Sequence, residues 1–594
     1  RHCGSDGGPV IAATRTAIHK RWMRLLERPY WRLVAHFGMR LFSGSGEGGL
    51  ELGAGTVLAL LAAPGAFISI LLLDKYSGLL RYFRGNQPFD PYAASLPDQY
   101  FFLTFSMVIT GIVTVLKWDS IFPDRRDYMN LAPLPIPTRR IFLANITAIV
   151  LIALAFAVDV NAVSSLFFPM EVTMEEPKFA AYVDFARAHF AGVLLASLFV
   201  FFAMFALIGA LMVALPDSMF RRISIYLRVV IVVLLLGLLF STFAVAPLIP
   251  ALASEPHSLL RWLPPVWFLG LSRTILGKAN VGLAPMGGIG IRAVIAVTLL
   301  APMVYVLSYY RYFIRIPETL DTTLRNREPR NLFPMRLMDR FVLRSPFERA
   351  TYRFTLKTLL RNERHSLLFG AFAGLGFVIA SQTLVSAFNE RPASIAAAPS
   401  AALISVPLTL AYFLICGLRF VFDLPAEIRA NWVHKAILDQ RQPGSADAAR
   451  KVIMTFVLPW VLAVCLPLYL FYWGWAVGGA LVAVLVAACY LLADGLLRRF
   501  AKIPFACVYP AWKQSATVIV LLYVLGLWAF ASILPALEHD LLLKSTWYLW
   551  GLAAALVAAR FALRTLRHND EANHVLVFDE VPDAPFELLN LSGR

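Results

Sequence analysis

Long apolar runs alternate with short polar loops along the chain. Twelve of the runs approach the roughly 20 residues that a helix needs to cross a hydrocarbon core of about 30 Å. They cover 54–73, 100–116, 141–158, 189–214, 228–251, 291–314, 366–388, 401–422, 452–473, 475–494, 515–535 and 546–563. The ninth and tenth are parted only at Trp473-Gly474-Trp475, which reads as a tight hairpin. Two further stretches keep a helical period but mix it with charge. From Ile18, the residues Trp22, Leu25, Leu26, Leu33 and Phe37 recur at three- and four-residue steps among Lys20, Arg21, Arg24, Arg28, Arg32 and Arg40. Around 345–362, Arg349, Arg353, Lys357 and Arg361 form one charged stripe and Tyr352, Leu356, Leu359 and Leu360 an apolar side. Such basic amphipathic helices suit the headgroup layer, or a groove on the protein itself. The segment 262–277, WLPPVWFLGLSRTILG, is too short to span and rich in aromatics, which fits a re-entrant or interfacial helix.

The pattern occurs twice. The loop after the second span opens with Trp118-Asp119, has Asp124, Arg125, Arg126 and Tyr128, turns through Pro133, Pro135 and Pro137, and closes on Arg139-Arg140. The loop after the eighth span opens with Phe422-Asp423, has Glu427, Arg429 and Trp432, turns through Pro443, and closes on Arg450-Lys451. In each copy an arginine follows the aspartate by six residues, and a bend at Pro123 or Pro425 could bring the two together. Each half thus has an amphipathic helix, six spans, and a charged loop between its second and third spans. An even number of spans makes the repeats parallel. The predicted fold is an all-α integral membrane protein of about 12 transmembrane helices, two parallel six-helix repeats each preceded by an amphipathic interfacial helix. Its parts are 1–53, tail and first amphipathic helix; 54–314, first half; 315–365, basic connector with the second amphipathic helix; 366–563, second half; and 564–594, acidic tail.

Composition agrees with membrane insertion. Of 594 residues, 59% are hydrophobic and 15% charged, against about 25% charged in soluble domains. The net charge of +17 lies in alternate loops, so it signals orientation and not nucleic acid. Loops 117–140, 311–364, 423–451 and 494–513 carry five, thirteen, five and four lysines plus arginines. The intervening loops 159–188, 389–400 and 536–545 carry two, one and one, and 74–99 and 252–290 three each. Both termini and both repeated loops are therefore expected on the cytoplasmic side. With no secretory leader pattern, the first span reads as a retained helix.

No local chemistry emerges. Gly44–Gly49, GSGEGG, follows no strand, and Gly277-Lys278 is followed by Ala279, so neither forms a phosphate loop. Cys3, Cys416, Cys465, Cys489 and Cys507 show neither metal-ligand nor disulfide spacing. No cofactor or metal is expected, and no catalysis by this chain alone. Asn145 and Gln382, the polar residues well inside spans, suit helix packing.

The arrangement of spans, the amphipathic helices and the loop residues Asp119, Asp124, Arg125, Leu134-Pro135-Ile136 and Arg139-Arg140 resemble the permeases of ABC-2 type transporters. Leu263 to Gly277 is similar to that family's short outer helices before the last span. The second loop departs from the pattern, with Pro443-Gly444-Ser445 in place of the Pro-Ile turn. The resemblance implies a tandem-fused permease in a bacterial inner or cell membrane, in contact with lipid. It would be an exporter worked by a separate ABC-type ATPase, in two copies, docked on loops 117–140 and 423–451. The stiff, proline-rich first loop is expected to couple more strongly than the second, so replacing its prolines should harm function more than deleting 442–446. A structural or accessory subunit of a larger membrane complex is the alternative. An enzyme acting on lipid-linked substrates through the outer acids Glu171, Glu175, Glu176 and Asp184 is a third.

Overall fold

The structure is a computed structural model. It describes residues 29–42, 54–118, 131–313, 343–390, 399–433, 445–506 and 516–571, apart from short gaps, chiefly 86–89, 250–258 and 427–430. The stretch 18–28 of the first amphipathic segment, most of the connector 315–345 and the tail beyond 571 lie outside these residues. Among the described residues there are helices and no strands. The chain divides into two compact units, 1–223 with 241–325, and 224–240 with 326–594.

The first unit contains helices α1 (Pro29–Phe42), α2 (Ala54–Tyr76), α3 (Leu96–Leu116), α4 (Thr138–Val172), α5 (Phe179–Ala214), both ends of α6 (Asp217–Val245), α7 (Pro264–Ile275) and α8 (Ala284–Phe313). The second contains α9 (Pro346–Arg361), α10 (Glu363–Glu390), α11 (Ala401–Val421) and α12 (Ser445–Leu496). It ends with α13 (Ala516–Trp528), a single π turn over Ala529–Ile533, α14 (Leu534–Lys544) and α15 (Thr546–Glu571). Among the described residues eleven helices are long and apolar enough to cross a membrane, so this is an all-α protein of multi-pass membrane type. The first expected span coincides with α2, 23 residues long, which is not among the eleven; most of its first half has undescribed side chains.

Several helices outrun their apolar segments. α4 is 35 residues long, about 50 Å at 1.5 Å per residue, because its ends continue in helical register through Arg139-Arg140 and up to Glu171. α12 is broken at Gly474, whose φ of 69° and ψ of −179° are open to glycine. A Cβ on Gly478 would lie 2.9 Å from the Tyr469 carbonyl. Such closeness across nine residues requires the two limbs to fold back on each other, as the expected hairpin does.

The amphipathic helices bury their apolar sides on the protein. On α1, Val34 and Phe37 pack with Leu131 and with Ile141, Ala144 and Ala148 of α4. The Tyr30 hydroxyl hydrogen-bonds Thr147 Oγ1 at 2.8 Å. On α9, Tyr352, Leu356 and Leu359 pack with Ala446, Ala449, Val452 and Ile453 of α12. α9 is capped by Ser345, whose Oγ accepts the Glu348 N–H at 3.1 Å, relieving one orphan donor of the first turn. Each amphipathic helix therefore lies on the helix that follows a repeated loop.

The short α7 is mostly buried within its unit. Ser272 Oγ accepts from Gln99 Nε2 at 2.6 Å and donates to Ala188 O at 2.9 Å. Arg273 donates to Tyr92 O at 2.9 Å and Ser95 Oγ at 2.8 Å, just ahead of α3. Gly270 lets the backbone come this close, since a Cβ there would strike the Leu283 carbonyl and Gly287 N. In the second unit, Gly370 and Gly374, one helical turn apart on α10, receive Val229 and Val233 from the middle of α6. That is small-residue packing of the kind that draws membrane helices together without a hydrophobic driving force. Asn145 Nδ2 donates to Tyr305 Oη at 2.5 Å and Gln382 Nε2 to Phe240 O, so both polar residues join helices.

Candidate functional site

The second loop begins where α11 ends. Arg419 lies in its last turn, and the chain then bends at the fully buried Phe422. Asp423 receives Arg419 Nη1 at 2.6 Å and Lys502 Nζ at 2.7 Å. Lys502 is 1% exposed, and a buried ammonium needs ionic compensation of this kind. Residues 502–506 run alongside the loop. Phe505 N–H donates to Phe422 O at 3.2 Å, Ala426 N–H to Phe505 O at 2.9 Å, and Asn431 Nδ2 to Ala506 O at 2.6 Å. Phe505 has φ +66°, a left-handed backbone costing on the order of 1–3 kcal/mol for such a residue. Its ring meets the His365 ring edge-on at 4.7 Å and the Phe422 ring at 5.4 Å. Ring contacts and both backbone bonds over-determine the strained position.

The loop closes on α12, and there its basic pair turns inward. Asp494, at the far end of the second limb, is 2% exposed. Its Oδ1 accepts from Arg450 Nη1 at 2.8 Å and its Oδ2 from Arg560 Nε at 2.9 Å, with Arg564 Nε at 3.5 Å. Arg450 Nη2 also reaches Asp447 Oδ1 at 2.9 Å. Lys451 Nζ pairs with Glu348 Oε2 of α9 at 2.7 Å. One carboxylate thus ties the start of α12, its end and α15, while the neighbouring lysine ties α12 to α9.

The first loop is different wherever it is described. Trp118 is buried at its start and Leu131 packs under α1. Arg139 and Arg140 are exposed on the first turn of α4 and meet no acid among the described residues. Asp119, Asp124, Arg125, Arg126 and Tyr128 lie outside the described residues, as do Glu427, Arg429 and Trp432. The expected pairing of Asp423 with Arg429 therefore lies outside them too, and that carboxylate is already held by Arg419 and Lys502.

The acids expected on the outer side do not converge. Glu171 is buried, Glu175 pairs with Arg81, Asp184 with Arg187 at 3.2 Å, and Glu176 is exposed. Among the described residues no group of three or more His, Cys, Asp or Glu could hold a metal ion. Sequence reasoning missed Asp494, Arg560, Arg564, Lys502 and Glu348. The signal was present: an aspartate and two arginines inside apolar helices are costly, about 2.5–3.5 kcal/mol each on insertion scales, unless they meet.

Comparison with protein-family models, with curated proteins and with solved structures finds no match.

Proposed function

We propose that this chain is the membrane permease of an ATP-driven transporter of the ABC-2 type, an exporter with both halves of the unit fused in tandem. A separate ATPase, in two copies, would work it from the basic side. The observation that carries this reading is a recurrence. In each unit a short amphipathic helix lies by its apolar side on the helix that a charged loop and a basic pair introduce. A second recurrence supports it: a polar side chain ahead of the last span reaches the residues preceding the second. Arg273 does so at Tyr92 and Ser95, and His539 Nδ1 at Pro399 O, 2.9 Å away. On this reading the twelve spans form two parallel repeats, with both termini and both repeated loops in the cytoplasm of a bacterial cell. Exposed Trp262 in the first unit, and Phe471, Trp475 and Trp547 in the second, would then each suit an outer interface, where aromatic side chains are enriched.

Energy enters such a machine through contacts that differ between its two global states. The exposed Arg139-Arg140 pair of the first loop is placed to offer those contacts, and Arg125 and Arg429, outside the described residues, are the further candidates that the repeated sequence pattern supplies. Affinity purification of the intact chain from its native membrane should bring down a Walker-motif ATPase. Arg125→Glu and Arg429→Glu should each weaken that association while insertion is unchanged. Purification without an ATPase, with reversals that alter nothing, would overturn the reading. It would favour the accessory-subunit alternative, to which the internally satisfied charges of the second loop already lend weight.

A further inference from the structure

The arginines around Asp494 exceed its capacity. Arg450 uses both terminal nitrogens, on Asp494 and Asp447. Arg560 gives Asp494 only its Nε and lays its guanidinium 4.1 Å from the Tyr490 ring centroid. Arg564 stands off at 3.5 Å. The terminal nitrogens of Arg560 and Arg564 have no hydrogen-bond partner among the described residues, and the two side chains are 20% and 35% exposed. Three guanidinium groups meet two carboxylates, so the cluster carries an excess positive charge where it opens outward.

Position shows what the excess faces. Arg560 and Arg564 are one helical turn apart, on the same stripe of α15 as Val557 and Phe561. Both of those apolar side chains are exposed, on a helix composed to lie in a membrane. An apolar track running into two guanidinium forks matches an amphiphile with an anionic head. Paired forks also suit phosphate oxygens in particular, because each can donate two parallel hydrogen bonds.

We infer that Arg560 and Arg564 form a binding site for the phosphate group of an anionic membrane lipid, whose chain lies along Val557 and Phe561. The lipid would complete the charge balance of the Asp494 cluster and brace the junction of α12 with α15. The test uses the full chain in nanodiscs of phosphatidylcholine, alone or mixed with phosphatidylglycerol. Lipid retention is read by native mass spectrometry after release, and the unfolding midpoint in the nanodisc. Phosphatidylglycerol should be retained selectively and raise the midpoint. Arg560→Gln with Arg564→Gln should weaken its retention about thirty-fold, as expected for two charges lost near an anionic surface. Arg564→Gln alone perturbs the more exposed group and should give an intermediate loss even if the double variant unfolds. Arg498→Gln, an exposed arginine near the end of α12, should change little. Competition by millimolar inorganic phosphate would reassign the site to a free anion. Equal retention of both lipids by the native chain, or undiminished retention by Arg564→Gln, would overturn the inference.

Discussion

The start of α4 and the start of α12 are the same element by sequence and opposites by environment. Both follow a charged loop, carry two adjacent basic residues within their first two turns and have an amphipathic helix on their flank. At α4 the pair points to solvent. At α12 one member is buried on Asp494 and the other bound to Glu348. The expected spans from 141 and 452 lie within these helices, which begin earlier, at Thr138 and Ser445, and residue type and spacing did not reveal what their charges do. That depended on whether acids elsewhere in the chain come within reach. A loop whose basic residues are already satisfied is a joint. One with exposed basic residues, such as Arg139 and Arg140, leaves them available for contact.

The largest effect should come from the stiff side of this comparison. Replacing Pro133, Pro135 and Pro137 together by alanine frees three fixed φ angles and, on the proposed permease reading, should remove most ATP-coupled transport, with membrane insertion intact. The matching deletion in the second loop is best confined to 442–444, because Ser445 and Ala446 are buried at the start of α12. It should leave most transport in place. A greater loss from that deletion, measured in proteoliposomes, would reverse the ranking of the two loops.

Next in size is Asp494→Ala, which strands Arg450 and Arg560 in a buried site and should cost about 3–5 kcal/mol, seen as a large fall in the unfolding midpoint in detergent. A fall no greater than that of an exposed substitution would mean that water satisfies these arginines. Asp423→Asn should cost less, about 1–3 kcal/mol, since the carboxylate is 23% exposed, and should loosen the segment 502–506 first. Hydrogen exchange would detect this, and unchanged protection there would refute the role of Asp423 as its anchor. Removing the cap with Ser345→Ala should cost about 1 kcal/mol. The smallest change in stability, within about 0.5 kcal/mol, is expected for Arg139→Met. On the proposed permease reading that variant should nevertheless weaken association with an ATPase; a stable variant with full association would remove α4 from the proposed contact surface.

Much of the fold was legible because apolar length is a strong signal in a membrane. The hairpin at Gly474, the amphipathic helix ending at Arg361 and the short α7 follow from hydropathy, a missing Cβ and a pair of prolines. The site was less legible. Arg450 and Arg139 occupy equivalent positions in the two copies, and only the fold brings Asp494, 44 residues beyond Arg450, to one of them. The amphipathic stripes were equally ambiguous, since the same apolar side suits lipid or protein. Burial of Phe37 and Tyr352 resolves them in favour of protein. Gly370 and Gly374 could have been read directly as a small-residue packing pair, because their spacing alone puts them on one helical face.

The π turn over Ala529–Ile533 makes the placement of α14 a matter of phase. Such a turn holds one residue more than an α turn, and one residue is about 100° of rotation around a helix. Everything beyond it is therefore turned by that amount relative to α13. In this phase Pro535 and Glu538 are buried, Leu541 and Leu542 rest on the core, and His539 reaches Pro399. Losing a single residue within the turn would leave composition and length almost untouched and rotate all of these side chains away from their partners. The partners of α14 thus depend on the one extra residue that this turn holds.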